Sequence, residues 1–190
     1  MHILIIGGSP QKKSNSMLLA QSALQYIATG YKVIELHTTV IKPCIACGFC
    51  TKNYKCIMDA YPQDEMSSIR ENLHAADMLF LVSPIHFSGL SALMTTFISR
   101  LQPEWALSQS LSAEKTKESG KKGVLVLTAG SLYPNMFEAA KICAAAVFRT
   151  LGFTMAGMLT ASQTDSIDIN KNFQALERAQ ALGARLNLNE

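Results

Sequence analysis

Two rhythms of apolar residues take turns along this chain. Residues 3–6, 78–82 and 123–127 are short apolar runs, too brief for helices and rich in branched side chains. Runs of this kind mark strands buried on both faces. Residues 32–36 and 153–159 repeat the pattern more weakly. Between them, residues 17–28, 64–75, 91–101, 135–151 and 172–188 carry apolar side chains three and four apart, as a helix buried along one side requires. Gly30 and Gly152 follow two of these segments as helix stops. The polar stretch 102–122, with Trp105, reads as a surface loop or a mobile lid.

Strand and helix thus alternate five times, with no internal repeat. The alternation predicts a parallel sheet covered on both faces, joined by right-handed crossovers. Five strands fit the doubly wound order 2-1-3-4-5, and one domain spans residues 1–190. Ligands of such sheets bind beyond the carboxyl ends of the strands, at the switch point of the order. The loops 9–16, 84–89 and 129–135 converge there, all rich in Gly, Pro and small polar residues.

The first of these loops is the most informative. Gly7, Gly8 and Pro10 end the strand, and Ser9, Lys12, Lys13, Ser14, Asn15 and Ser16 lead into the helix. Unpaired N–H groups and the positive end of a helix dipole favour an anion there. The Walker pattern is absent, and so is G-x-G-x-x-G, because the next glycine after Gly8 is Gly30. A hydroxyl-lined loop without tight glycine spacing suits a monophosphate. An ordinary strand-to-helix turn with a Ser or Asn N-cap would look the same.

Composition narrows the class. The 190 residues carry a net charge of +3 with 16% charged residues, and no basic stripe interleaves with aromatics, so no nucleic-acid partner is expected. No apolar run is long enough to cross a bilayer and no basic-then-apolar leader opens the chain, so a soluble cytoplasmic protein is expected. Four of the five cysteines, Cys44, Cys47, Cys50 and Cys56, crowd one segment, 43–58. In a reducing compartment that spacing points to metal or redox chemistry. Two x2 gaps resemble the start of a ferredoxin pattern, which makes a [4Fe–4S] cluster the first metal reading. Zinc comes second, since structural zinc sites usually split their cysteines into separated pairs, and cysteines that bind no metal remain the third reading. Lys42, Lys52 and Lys55 flank the segment and are expected to lower the thiol pKa values. Cys143 stands alone on an Ala-rich helix and is given no role.

These motifs resemble a known family. Gly8-Ser9-Pro10-Gln11-Lys12-Lys13-Ser14-Asn15-Ser16 is similar to the phosphate loop of the NADPH-dependent FMN reductase family, whose fold is flavodoxin-like. Ser83-Pro84-Ile85-His86-Phe87 resembles that family's second flavin loop, and Phe97-Ile98-Ser99-Arg100-Leu101 the helix segment after it. Cys44-x2-Cys47-x2-Cys50-x5-Cys56 resembles the cysteine motif of the iron–sulfur flavoprotein branch. The chain departs from the pattern at Gln11, Ser14, His86, Thr95 and Ser99. The branch's acidic pair after the fourth cysteine is matched only several residues later, by Asp64-Glu65.

The resemblance implies a three-layer α/β/α sandwich with FMN at the switch point. Ser9, Lys12, Ser14, Asn15 and Ser16 would hold its phosphate. Pro84, Ile85, His86, Phe87 and Gly89 would line the ring and ribityl chain, and Gly130 and Ser131 the far edge of the ring. The flavin carries the chemistry and the protein positions it, so no acid–base side chain is required. It further implies an oxidoreductase moving electrons from NAD(P)H to a small acceptor such as a flavin or quinone. The alternative is an electron carrier linking FMN, a [4Fe–4S] cluster on Cys44, Cys47, Cys50 and Cys56, and a ferredoxin-like partner. A homodimer or higher oligomer is expected, with the Met94–Leu101 helix and Trp105 as candidate surface, though core packing explains the helix equally well.

Overall fold

In this computed structural model, residues 1–27, 30–111 and 120–187 are described. The first half contains β1 (Ile3–Gly7), α1 (Asn15–Leu24), β2 (Tyr31–Glu35), α2 (Cys50–Asn53), α3 (Met66–Ala75) and β3 (Met78–His86). The second half contains β4 (Gly89–Leu90), α4 (Ala92–Ser99), α5 (Gln102–Ser110), β5 (Lys122–Thr128), α6 (Glu138–Leu151), β6 (Thr154–Ala161) and α7 (Phe173–Asn187).

Five strands pair in parallel in the order β2-β1-β3-β5-β6, the doubly wound order expected. A sixth strand corrects the count. β3 continues past its apolar run through Ser83, Pro84, Ile85 and His86, and β4 folds back antiparallel on its end, Ile85 opposite Leu90 and His86 opposite Gly89. The two residues between, Phe87 and Ser88, have φ of 50° and 62°. Two consecutive left-handed residues are what a tight two-residue hairpin demands, normally of Asn and Gly.

Strand periodicity sorts the core into two halves. Ile3, Ile5, Met78, Phe80, Val82, Val124 and Val126 pack under α1 and α7. The alternate residues Leu4, Ile6, Leu79, Leu81, Leu125 and Leu127 pack under α3, α4 and α6. Both faces of the sheet are covered, which is why the central strands read as unbroken apolar runs.

Local signals set the helix ends. The Ser14 side chain caps α1 by accepting from the Met17 N–H at 3.3 Å, and Ser91 caps α4 through Met94 at 3.2 Å. Gly152, at φ 78°, stops α6. The stretch 102–122 departs from the expected loop. Pro103 and Glu104 open α5, and Pro103, Glu104 and Ala106 are buried. A helix with so narrow a buried face leaves little periodicity to read. Residues 112–119 of the expected lid lie outside the described residues. Of the two readings of the 94–101 helix, core packing accounts for Met94 and Phe97, which are fully buried, while Trp105 is about half exposed.

At the outer strand β6, the Arg178 Nη2 donates to the Thr160 carbonyl at 3.1 Å, and the Arg185 Nη2 to the Ala156 carbonyl at 2.8 Å. α7 reaches α1 through Gly183, where an added Cβ would collide with the backbone carbonyl of Ala23. A backbone atom cannot swing aside as a side chain can. Gly183→Ala is therefore expected to destabilise the fold by about 1–3 kcal/mol, read as a lower thermal midpoint in calorimetry.

Candidate functional site

Beyond the carboxyl ends of β1, β3 and β5 lies an open cleft of about 270 Å³. Ser9, Ser14, Asn15, Pro84, Ile85, His86 and Gly130 line it. Lys12, Ser16, Phe87, Gly89 and Ser131 do not. Ser16 is buried instead, its hydroxyl sharing a 2.8 Å hydrogen bond with that of Ser14. Phe87 stands fully exposed at the hairpin tip. Among the described residues, the backbone N–H groups of residues 12–16 meet no protein acceptor. Five such donors precede and open a ten-residue helix, at its positive end.

Two buried hydroxyls hold the loops in register. The Ser91 Oγ donates to the Gly8 carbonyl at 2.5 Å, and the Ser91 N–H donates to the Ser83 Oγ at 3.1 Å. Gly8 N–H donates in turn to the Val82 carbonyl at 2.7 Å. A Cβ at Gly8 would lie 2.9 Å from the Met94 Cβ, so only glycine lets the loop approach α4 this closely. Sequence reasoning missed Gln11, Thr128, Thr164 and Asp165, which also line the cleft. Thr164 and Asp165 come from the loop after β6, and their N–H groups donate to the carbonyls of Ala129 and Gly130. The Asp165 carboxylate fills the space where a side chain at Gly130 would go. That contact spans 35 residues of sequence and leaves no local signal.

A second cavity, of about 370 Å³, lies between the cysteine segment and the start of α5. All four clustered cysteines line it, together with Ser99, Arg100 and Pro103. The connecting chain bends through left-handed residues at Ala46 (φ 53°), Gly48 (φ 71°) and Tyr54 (φ 53°). Among the described residues, no three Cys, His, Asp or Glu side chains are disposed to hold a single metal ion.

At Cys50 the expected lowering of the thiol pKa is reversed. Burial pushes the Cys50 thiol above its ordinary value of 9.0, and charge on Cys44, Cys56 and Cys47 pushes the same way. The Lys42 Nζ sits 4.6 Å above the Tyr61 ring.

Arg100, at the end of α4, closes this segment. Its Nη1 donates to the Lys42 carbonyl at 2.8 Å and to Asp64 Oδ2 at 2.7 Å. Its Nη2 donates to Asp59 Oδ1 at 2.7 Å and to Asp64 Oδ1 at 3.2 Å. The neighbouring Ser99 Oγ accepts from the Cys44 N–H at 3.1 Å. Arg70 pairs with Asp59 and Glu104 and donates to the Arg100 carbonyl.

A model of the NADPH-dependent FMN reductase family matches residues 1–155. The chain belongs to that family. An iron–sulfur flavoprotein of Methanocaldococcus jannaschii is 32% identical over 106 residues, 54% of this chain and 53% of that one. The chain spans about half the length of the curated relatives it matches. Solved structures with the same fold include an FMN-dependent NADH-azoreductase from Bacillus anthracis in complex with FMN, at TM-score 0.67 and 17% identity, covering 98% of this chain and 100% of that one. An NAD(P)H:quinone oxidoreductase from Methanothermobacter marburgensis also has TM-score 0.67, at 18% identity over 98% of this chain and 96% of that one.

The cofactor of an FMN reductase fits the first cleft on the chemistry of its donors, the unmatched N–H groups of Ser14 and Asn15 beside the Ser9 hydroxyl. The second cavity fits a polynuclear iron–sulfur guest, having four thiols and a buried cationic wall.

The Asp64 carboxyl gives a pH test of the Arg100 closure. Burial alone would raise its pKa, but hydrogen bonds from Arg100 and from the Lys42 and Met66 N–H groups hold it below the ordinary value of 3.8. A depressed carboxyl adds stability above its unfolded value and loses it as pH falls through the folded one. Denaturant titrations from neutral pH down to about pH 2 should show wild-type stability falling below about pH 4. Asp64→Asn should start about 3–5 kcal/mol lower at neutral pH, because it leaves a buried guanidinium underpaired, and should lose less on acidification.

Proposed function

We propose that the protein is an FMN-dependent NAD(P)H oxidoreductase that delivers electrons to a small acceptor such as a flavin or quinone. The observation that carries this is the run of unmatched N–H groups at residues 12–16, of which Ser14 and Asn15 line the cleft at the switch point of the sheet. Membership of the FMN reductase family supports it.

Bound FMN would supply hydride and electron transfer at its ring. The chain's own part is placement. Asn15, Ser9 and the N–H groups of residues 12–16 would bind the phosphate, with Ser14 fixing the turn that presents them. Lys12, exposed beside the loop, would contribute charge rather than contact. Pro84 and Ile85 would form one wall of the ring site, and Gly130 with the Asp165 carboxylate packed against it the other. His86 is exposed at the rim, where it could reach a substrate entering from solvent. No helix among the described residues is long and apolar enough to cross a membrane.

A second reading rests on the cysteine cavity. The protein would then be an electron carrier with FMN and a [4Fe–4S] cluster, exchanging single electrons with a ferredoxin-like partner. The names of the curated relatives agree with it.

A visible spectrum of anaerobically purified protein, with flavin, iron, sulfide and zinc assayed on the same sample, separates the two. Flavin with NAD(P)H oxidation and no iron is expected from the plain reductase. Flavin with about four irons and sulfide per chain is expected from the carrier. Protein that binds no added FMN would sink both. Ser14→Ala should remove the cap of α1 at about 1 kcal/mol and raise the FMN dissociation constant about tenfold, measured by fluorescence titration.

A further inference from the structure

The cysteine cavity has one charged wall, and a single residue supplies it. Arg100 is 1% exposed and lines the cavity with all four thiols. Its two terminal nitrogens are bound by Asp59, Asp64 and the Lys42 carbonyl. Its Nε is also buried, yet it meets no hydrogen-bond partner. A buried donor left unmade is costly, and native proteins leave few of them without a reason. Cys56 lines the same cavity as this guanidinium, and charge on its sulfur favours the charged arginine.

We propose that Arg100 is a positioning residue for an iron–sulfur cluster in this cavity, its Nε–H donating a hydrogen bond to the Cys56 sulfur and raising the cluster's reduction potential. The inference rests on the iron–sulfur reading of the cysteines. Asp59 and Asp64 hold the guanidinium plane from its far side, so the direction of Nε is fixed before any guest arrives. The same carboxylates offset most of the positive charge. What Arg100 offers the cavity is therefore a placed N–H more than a bare cation. When the cluster takes one electron from an external donor, negative charge on its sulfurs rises and an N–H···S bond strengthens. Hydrogen bonds to cluster sulfurs raise potential in this way, and partners behind a ligand tune the metal.

Arg100→Lys separates the two effects, because it keeps the charge and deletes Nε. Wild type, Arg100→Lys and Arg100→Gln would be reconstituted with iron and sulfide, checked for folding by FMN binding, and titrated with dithionite under anaerobic conditions. Both variants are expected to load and to show a more negative midpoint than wild type, and a chelator should strip their iron several-fold faster. A loaded Arg100→Lys with the wild-type midpoint overturns the hydrogen bond. Should the variants fail to fold, wild type labelled with ¹⁵N-arginine decides: pulsed EPR of the reduced cluster should show a nitrogen coupling, and its absence overturns the proposal. Wild-type protein that takes up no iron and sulfide overturns the iron–sulfur reading, and this inference with it. Loaded protein without the coupling or the shift overturns the inference alone.

Discussion

The conformation of the cysteine segment depends on one buried guanidinium. Arg100 grips the chain before the first clustered cysteine, at Lys42, and after the last, at Asp59 and Asp64. The base of the loop is further zipped by the Val40 N–H to Glu65 Oε2 bond of 2.6 Å and by the Glu65 N–H to the Val40 carbonyl at 3.0 Å. A charge buried this completely is tolerable only while its partners stay in place, and losing one is costly. The arrangement is therefore close to all-or-none. Arg70, bridging Asp59 and Glu104, ties the same cluster to α3 and α5, so two helices and the loop share one electrostatic knot.

The two cavities are supported in different ways. The cleft at the switch point is framed by neutral hydrogen bonds through Ser83, Ser91 and the backbone of Gly8. The cysteine cavity is framed by ion pairs. α4 joins them: its first turn, capped by Ser91, secures the phosphate loop, and its last, at Ser99 and Arg100, secures the cysteines. Residues eight positions apart thus fix both, through an apolar helix whose Met94 and Phe97 are anchored in the core.

Features that depend on neighbouring residues were legible in the sequence. The central strands were visible because a strand buried on both faces has no polar alternation to confuse. The Ser14 cap and the Gly152 stop declare themselves within a few residues. The order of the five parallel strands is the doubly wound one that five strands alternating with helices fit. What stayed hidden depends on distant pairs. In sequence Asp64 marks a helix start and a late match to a motif, but in space it and Asp59 meet Arg100 from 36 and 41 residues away. Asp165 enters the cleft only because the loop after β6 lies across Gly130. Phe87 was misleading for another reason: the tight hairpin fixes its direction, and residue type alone does not say on which side of a turn a ring will stand.

The arginines of α7 bear on how this molecule can meet others. An outer strand with unpaired carbonyls is an adhesive strip, ready to recruit a further strand from any chain that passes. With Arg178 and Arg185 already occupying carbonyls of β6, that border of the sheet is partly closed to recruitment. A partner arriving there would have to displace charged groups first. Encounters at this border are thereby steered toward side-chain recognition, and growth of the sheet into a fibre is opposed by the same two residues that fasten the last helix.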